Sequence, residues 1–409
     1  MGFSIVDGYP ARGCEAARCV RPKGEGPAYV DWSWPKGETM SVHARIQRFA
    51  RAIERLRTVG DPLHERLCAE TPHMAPEVMS RGLNVSLAGW DEAGLTALWT
   101  EAQPHLQGAI RPSRATVILG GVLPPSHVQA LAYPYLLGAE LQVKAPQADS
   151  LFLSLFLAAL DDPTVTEVQR SGLAEVLKRA DAVVAVGGDE SIRAIDLEFP
   201  VSTPYLGFGH RTAIAMVTAP ARVREHATVS ALARDVLTFD QLGCLSPREI
   251  WVLGTLQDAE SLAESLALAF DGSPQRASLG VPVEAAIRLA RETAQMEGHS
   301  VQGPSDLQWG VFVCEEGVWT GTPGGRHVVV RAVSDPSRFP EVLAPMARQL
   351  SAVSVAGAPF NDTVYDLLVH HGASRIVRAG ELQAAPPTWP HDGRRPLAAL
   401  CRWCGGLPR

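Results

Sequence analysis

An α/β fold, with parallel strands joined by crossover helices, is the class this sequence predicts. Three observations point to it. Short β-branched runs alternate with helix-like stretches between residues 114 and 254. The runs are nearly continuous in apolar residues, as strands covered on both faces are. Two of them end in glycine pairs, Gly120-Gly121 and Gly187-Gly188, at the strand ends where open parallel sheets take their ligands.

The elements follow in order. Residues 1–39 are crowded with Gly and Pro, lack periodicity, and read as a loose N-terminal leader. Order begins at Ser41, an N-cap for a helix whose Val42, Ile46, Phe49, Ile53 and Leu56 form one apolar stripe. Strands are expected at 115–119, 141–144, 182–186 and 250–254, with a helix over 165–179. A helical block over 258–270 and 283–296 leads to strands at 307–314 and 327–333. From Pro345 another helix, a strand at 374–377 and a Pro/Arg-rich tail complete the chain. These divide into a first sheet domain over 41–230, a smaller α/β domain over 231–380 and a tail over 381–409.

Composition narrows the function classes. The 409 residues are 46% hydrophobic and 20% charged, and 37 Lys+Arg against 44 Asp+Glu give a net charge of −7. That mild acidity argues against a nucleic-acid partner. The densest apolar run, 151–160, is about half a membrane span. Seven cysteines, an odd number spread along a long chain, suit reduced thiols and a cytoplasmic setting better than a disulfide framework. Cys401-x-x-Cys404 stands without a second ligand pair, so no metal site is expected.

Four segments could carry chemistry. Gly120-Gly121 lets a backbone approach a ligand closely, although a tight turn alone would also use it. Lys144 ends a strand, where its ammonium can reach a ribose or phosphate or simply face solvent. Gly187-Gly188-Asp189-Glu190-Ser191 runs from strand into helix, offering backbone N–H groups to an anion, with Asp189 or Ser191 as plain N-caps the alternative. In Gln241-Leu242-Gly243-Cys244-Leu245-Ser246-Pro247 a cysteine follows a glycine at the expected junction of the two domains. A lone Cys is more often buried and inert, but this position suits a nucleophile.

Read together, these pieces resemble the aldehyde dehydrogenase superfamily: a Pro-bearing turn after the first strand, Lys144 in a Val-Lys-x-Pro context, Gly187-Gly188, then Gln241-x-x-Cys244. More narrowly the chain is similar to the long-chain acyl-CoA reductases of the LuxC type. Gly187-Gly188-Asp189-Glu190, Gly207-Phe208-Gly209-His210-Arg211, Cys244-Leu245-Ser246-Pro247 and Trp389-Pro390-His391-Asp392-Gly393-Arg394 carry that narrower likeness. It extends over about residues 105–404.

The resemblance implies a Rossmann-type cofactor domain followed by a catalytic domain. It also implies NADPH-dependent reduction of a fatty acyl-CoA or acyl-carrier thioester to the aldehyde, by a protein that forms homo-oligomers. Cys244, as thiolate, would be acylated, with Gln241 and His210 assisting; Gly120, Gly121, Lys144, Gly187, Gly188 and Ser191 would bind the cofactor. Aldehyde-oxidising relatives carry a hydrolytic Glu about where His210 stands, 34 residues before the cysteine (244 − 210). No carboxylate occupies that position here, which favours reduction. One departure is Val122-Leu123-Pro124, where relatives have Asn-x-Pro and the Asn amide holds an oxyanion. Losing such a donor costs about 10²–10³ in rate. A catalytically impaired acyl- or nucleotide-binding member, and a semialdehyde oxidase, therefore stay open as alternatives.

Overall fold

The computed structural model describes residues 40–147, 149–314, 324–346, 349–358 and 362–404; the expected leader over 1–39 lies outside them. Helix Val42–Arg57 forms as its stripe dictates: Ser41 accepts the Ala44 N–H, and Ile46, Phe49, Ile53 and Leu56 are buried. It packs on helix Leu151–Leu160, the apolar run, through the Phe49–Phe156 edge contact, with ring centroids 5.1 Å apart.

The first sheet holds strands β1 (Arg114–Ile118), β2 (Glu140–Lys144), β3 (Val165–Glu167), β4 (Ala182–Val186) and β5 (Tyr205–Phe208), all parallel, in the order β3-β2-β1-β4-β5. The strand order reverses between β1 and β4, which opens a crevice at their carboxyl ends. The second sheet holds β6 (Thr212–Val217), β7 (Pro247–Val252), β8 (Ser300–Gln302), β9 (Gly310–Cys314), β10 (His327–Ala332), β11 (Leu350–Ala356) and β12 (Arg375–Arg378). Its order is β12-β11-β6-β7-β10-β9-β8, parallel except for the β8–β9 pair.

Three expectations are corrected. The helix expected over 165–179 is β3 followed by helix Leu173–Arg179, because a β-branched Val165-Thr166 start pairs readily with β2. β11 lies where a helix was expected after Pro345; the helix comes later, as Asp362–His370. The chain changes sheets between Phe208 and Thr212 rather than near 230, since β6 pairs with β7 and β11. In the expected tail over 381–409, Leu397, Leu400 and Cys401 belong to the core under the first sheet, and Arg402 bridges Ile110. Among the described residues no helix is long and apolar enough to cross a membrane.

Candidate active site

The crevice is built from glycines at strand ends. A β-carbon on Gly120 would overlap the Val186 carbonyl of β4, so only glycine lets these strand ends close together. His127 Nε2 donates to the Gly120 carbonyl at 3.0 Å and so fixes the turn; burial pulls this imidazole down to about 4. Beyond the turn the floor is open. Gly121, at φ +75°, and Gly188, the N-cap of helix Asp189–Asp196, have nothing within 4 Å of where a β-carbon would point. Ser191 is exposed on that helix and Gly187 faces it. Lys144 ends β2 in register with Ile118 of β1. Desolvation, then the nearby Arg170 cation, lowers its ammonium. Backbone N–H groups at an unobstructed helix N-terminus suit a dinucleotide phosphate chain, and Lys144 and Arg170 are a pair of cations at the end of β2 and after β3.

Cys244 is presented by a strained turn. Phe239, Asp240 and Gln241 hold φ of +54°, +53° and +61°, left-handed values that non-glycine residues avoid, and all three are buried. Such a conformation costs about 1–3 kcal/mol per residue and persists only when its surroundings enforce it. The enforcement is visible. Arg326 Nε donates to Asp240 at 2.7 Å, and the guanidinium also reaches Ser273 Oγ and the Pro274 carbonyl. Gln241 donates to the Pro247 carbonyl at 2.8 Å and accepts the His327 N–H at 2.8 Å. The Phe239 ring lies where a side chain on Gly82 would be. Gln241, expected among the catalytic residues, has both amide ends occupied by backbone; it acts as a strut that positions the loop.

The loop meets the crevice directly. A β-carbon on Gly243 would sit 3.1 Å from Leu123 Cδ1, in the turn that follows Gly120-Gly121. Cys244 is exposed to solvent but densely walled. Desolvation first, then the Asp392 charge, pushes its thiol up to about 11, against the opposing backbone N–H groups of Cys244 and Leu245 and the Arg211 cation. A Cys244 thiolate, the form acyl transfer calls for, works against the direction in which these surroundings push the sulfur. Arg248, four residues on, is a second cation beside it. Burial lowers this guanidinium, the sulfur opposes the shift, and no carboxylate among the described residues pairs with it. Its guanidinium packs over Gly324.

Position 210 differs from expectation. His210 is exposed in the loop between β5 and β6; its N–H donates to Asp189 and its carbonyl accepts from Arg211. Arg211 instead turns inward, Nη2 lying 3.0 Å from Asp392 Oδ2. Asp392 is itself left-handed, φ +53°, with a side chain 6% exposed. Neighbouring His391 is stacked between Phe208 and Trp389 with centroids 4.4 Å away on each side; burial lowers it to about 4. Sequence reasoning quoted Asp392 and Arg211 in family motifs without giving them a role, and it missed Arg170 and Arg248. Their signal, a basic residue four after the cysteine and another after β3, is too common to select. Among the described residues no group of three His, Cys, Asp or Glu could hold a metal ion.

Comparison with known proteins now adds to this geometry. A family model described as acyl-CoA reductase (LuxC) matches residues 164–403. The long-chain acyl-protein thioester reductase of Photobacterium phosphoreum is 26% identical over 312 residues, 72% of this chain and 63% of that protein. Long-chain acyl-protein thioester reductase 2 of Photobacterium leiognathi is 28% identical over 233 residues, 56% of this chain and 47% of that protein. The chain thus spans about half to somewhat under two thirds of these relatives. Among solved structures, an oxidoreductase from Marinobacter aquaeolei superposes with a TM-score of 0.66 at 13% identity, covering 85% of this chain and 79% of that one. Succinic semialdehyde dehydrogenase from Streptococcus pyogenes, in complex with NADP+, gives 0.65 at 11% identity and covers 92% of both chains. The fold is that of the aldehyde dehydrogenases.

Proposed function

Because the chain belongs to the acyl-CoA reductase (LuxC) family, we propose that it reduces a fatty acyl thioester, acyl-CoA or acyl-carrier, to the aldehyde with NADPH, through an acyl-Cys244 intermediate. The observation that carries this reading is the contact of the Cys244 loop with the turn after β1. Through Gly243 and Leu123 it sets an accessible sulfur beside a glycine-floored nucleotide crevice.

The chain's residues divide the work. The glycines at 120, 121, 187 and 188, with Ser191, would admit the pyrophosphate, and Lys144 with Arg170 would face the adenosine ribose and its 2′-phosphate. Two cations so close are worth most to a doubly charged phosphate, which favours NADP over NAD. When bound, NADPH supplies a hydride. Cys244 supplies the nucleophile: its sulfur bonds to the thioester carbon, the carbon–sulfur bond to the carrier breaks, and the acyl group stays on the enzyme. Backbone N–H groups of Cys244 and Leu245 are the donors nearest the sulfur and would hold the oxyanion in place of the amide that Val122 lacks. With no carboxylate at 210, water is not activated against the acyl-enzyme, and the group waits to be reduced.

The test is intact-protein mass spectrometry after brief exposure to a series of acyl-CoAs without reductant. An acyl mass increment on the peptide containing residue 244, absent in Cys244→Ala, is expected. Its absence for every chain length overturns the reading. Val122 supports a second one, binding without turnover: an acylated enzyme that releases no aldehyde on adding NADPH would favour it.

A further inference from the structure

Behind the strained turn lies a second cavity of about 490 Å³, within the size range of small-molecule sites. It opens between helix Pro76–Ser86, helix His226–Leu237 and the end of helix Leu256–Asp271, and shares no residue with the glycine-floored crevice. Val78, Val85 and Leu237 give it apolar walls. Its charged side chains are of one sign: Arg81, Arg234 and Arg326 line it, with the hydroxyls of Ser230, Thr238 and Ser273 between them. Among the described residues no carboxylate does so, although acidic side chains outnumber basic ones in the whole chain. Leu237 and Thr238 run straight into Phe239, whose ring covers Gly82 on the opposite wall.

The three cations differ in what they are free to do. Arg326 is buried and fully engaged: it pairs with Asp240 and donates to Ser273 Oγ and the Pro274 carbonyl, so it forms a fixed, neutralised floor. Arg81 and Arg234 are exposed, and neither is ion-paired among the described residues. Asp235, next to Arg234 in the chain, is turned away: it is fully buried and accepts the Gly380 and Leu382 N–H groups. His226, Ser230 and Arg234 are spaced four apart on one helix face, with Ser230 Oγ 3.4 Å from His226 Nε2. Two uncompensated guanidiniums therefore stand over apolar walls. A bare inorganic ion would leave those walls in water, and a single carboxylate would answer half of the charge. A phosphate monoester, nearly dianionic and joined to an organic body, answers both. We infer that this cavity binds a phosphate monoester at Arg81 and Arg234. Coenzyme A offers one source, its ribose 3′-phosphate, and a free phosphate ester acting as an effector is the other. In either case the ligand would rest on the Arg326–Asp240 clamp beneath the turn that presents Cys244.

Binding is measured by titration calorimetry on the full chain, with adenosine 2′,5′-bisphosphate in excess to occupy the dinucleotide crevice. Phenyl phosphate is the probe and benzoate its carboxylate counterpart. Phenyl phosphate should bind, and benzoate about tenfold more weakly or worse. Arg81→Gln and Arg234→Gln should each weaken phenyl phosphate by about tenfold, the loss expected for one charge-assisted hydrogen bond. Both positions are exposed, so the variants should keep the wild-type melting temperature, and Arg81→Lys should recover part of the affinity. The inference is overturned if phenyl phosphate does not bind, if the bisphosphate displaces it, if benzoate binds equally well, or if both Gln variants leave its affinity unchanged. Coenzyme A and 3′-dephospho-coenzyme A then separate the sources. Coenzyme A displacing the probe about tenfold better than its dephospho form, with that advantage lost in Arg81→Gln, supports the site and assigns it to the carrier. Failure of both to displace a bound probe supports it as a site for a free ester. None of these measurements needs Cys244 to be acylated, so the acyl-transfer reading stands or falls by its own test.

Discussion

Acid should dismantle this site before it disturbs the rest of the protein. Three buried histidines border it, and burial lowers each from 6.5 to about 4: His127 under the Gly120 turn, His327 beside Gln241, and His391 beside Asp392. A histidine depressed on folding contributes stability above its unfolded value, and that contribution is lost as pH falls toward the folded value. Between pH 8 and pH 5 each therefore gives up about 2 kcal/mol, or about 6 together. Asp235 works the other way. Its carboxyl is raised from 3.8 to about 6 by burial, only partly offset by the N–H groups of Gly380 and Leu382. Its protonation on acidification therefore returns about 1 kcal/mol. The net loss expected is about 5 kcal/mol, comparable to the whole stability of many domains. Urea unfolding at pH 8 and pH 5 measures it. His391→Phe is the diagnostic variant, because a phenyl ring can keep the stack between Phe208 and Trp389 and no hydrogen bond of the imidazole is lost. It should remove about 2 kcal/mol of the pH dependence while changing stability little at pH 8. A His391→Phe protein with the full wild-type dependence, or a wild type that loses less than about 2 kcal/mol in all, refutes the reasoning.

Three further outcomes are expected. Arg326→Met strips Asp240 of its counter-charge beneath the strained turn; a loss of about 3–5 kcal/mol in urea unfolding and slower Cys244 alkylation should follow. Unchanged alkylation would show that the turn holds its shape without the clamp. Val122→Asn returns an amide beside the Cys244 loop and should raise kcat for acyl-CoA reduction with little effect on KM, whereas a flat kcat would place oxyanion stabilisation wholly on the backbone. Arg170→Ala should raise the KM for NADPH several-fold and leave that for NADH unchanged; parallel changes in both would remove Arg170 from the 2′-phosphate.

What the sequence disclosed and what it hid divide along physical lines. Strands such as Ala182–Val186 were legible because burial on both faces leaves a continuous apolar run. β11, Leu350–Ala356, was not: its Ser351 and Ser354 are fully buried, and alternation with serine weakens the apolar signal. The glycine turns and Cys244 were legible because each depends on local chemistry, a missing β-carbon or a thiol between Gly and Pro. Counting back 34 residues to position 210 found the right loop and the wrong side chain. Consecutive residues of an extended segment point to opposite sides, so Arg211 faces inward where His210 was expected. Its partner Asp392 is 181 residues away (392 − 211), a pairing that only the packing of β5, β6 and the terminal segment creates.

The residues at the two strained turns share a feature that local propensity does not signal. Asp240, Gln241 and Asp392 all adopt backbone conformations that their residue types disfavour. Asp240 is held by a buried arginine just before β10, and Asp392 by Arg211 at the changeover between the sheets. Local preference loses at both turns because long-range charge pairing overrides it. Consistency between local and global signals is what makes a fold readable from sequence. The Asp392 carboxylate is unreadable for the same reason: its backbone is strained, and only the completed fold sets Arg211 beside it.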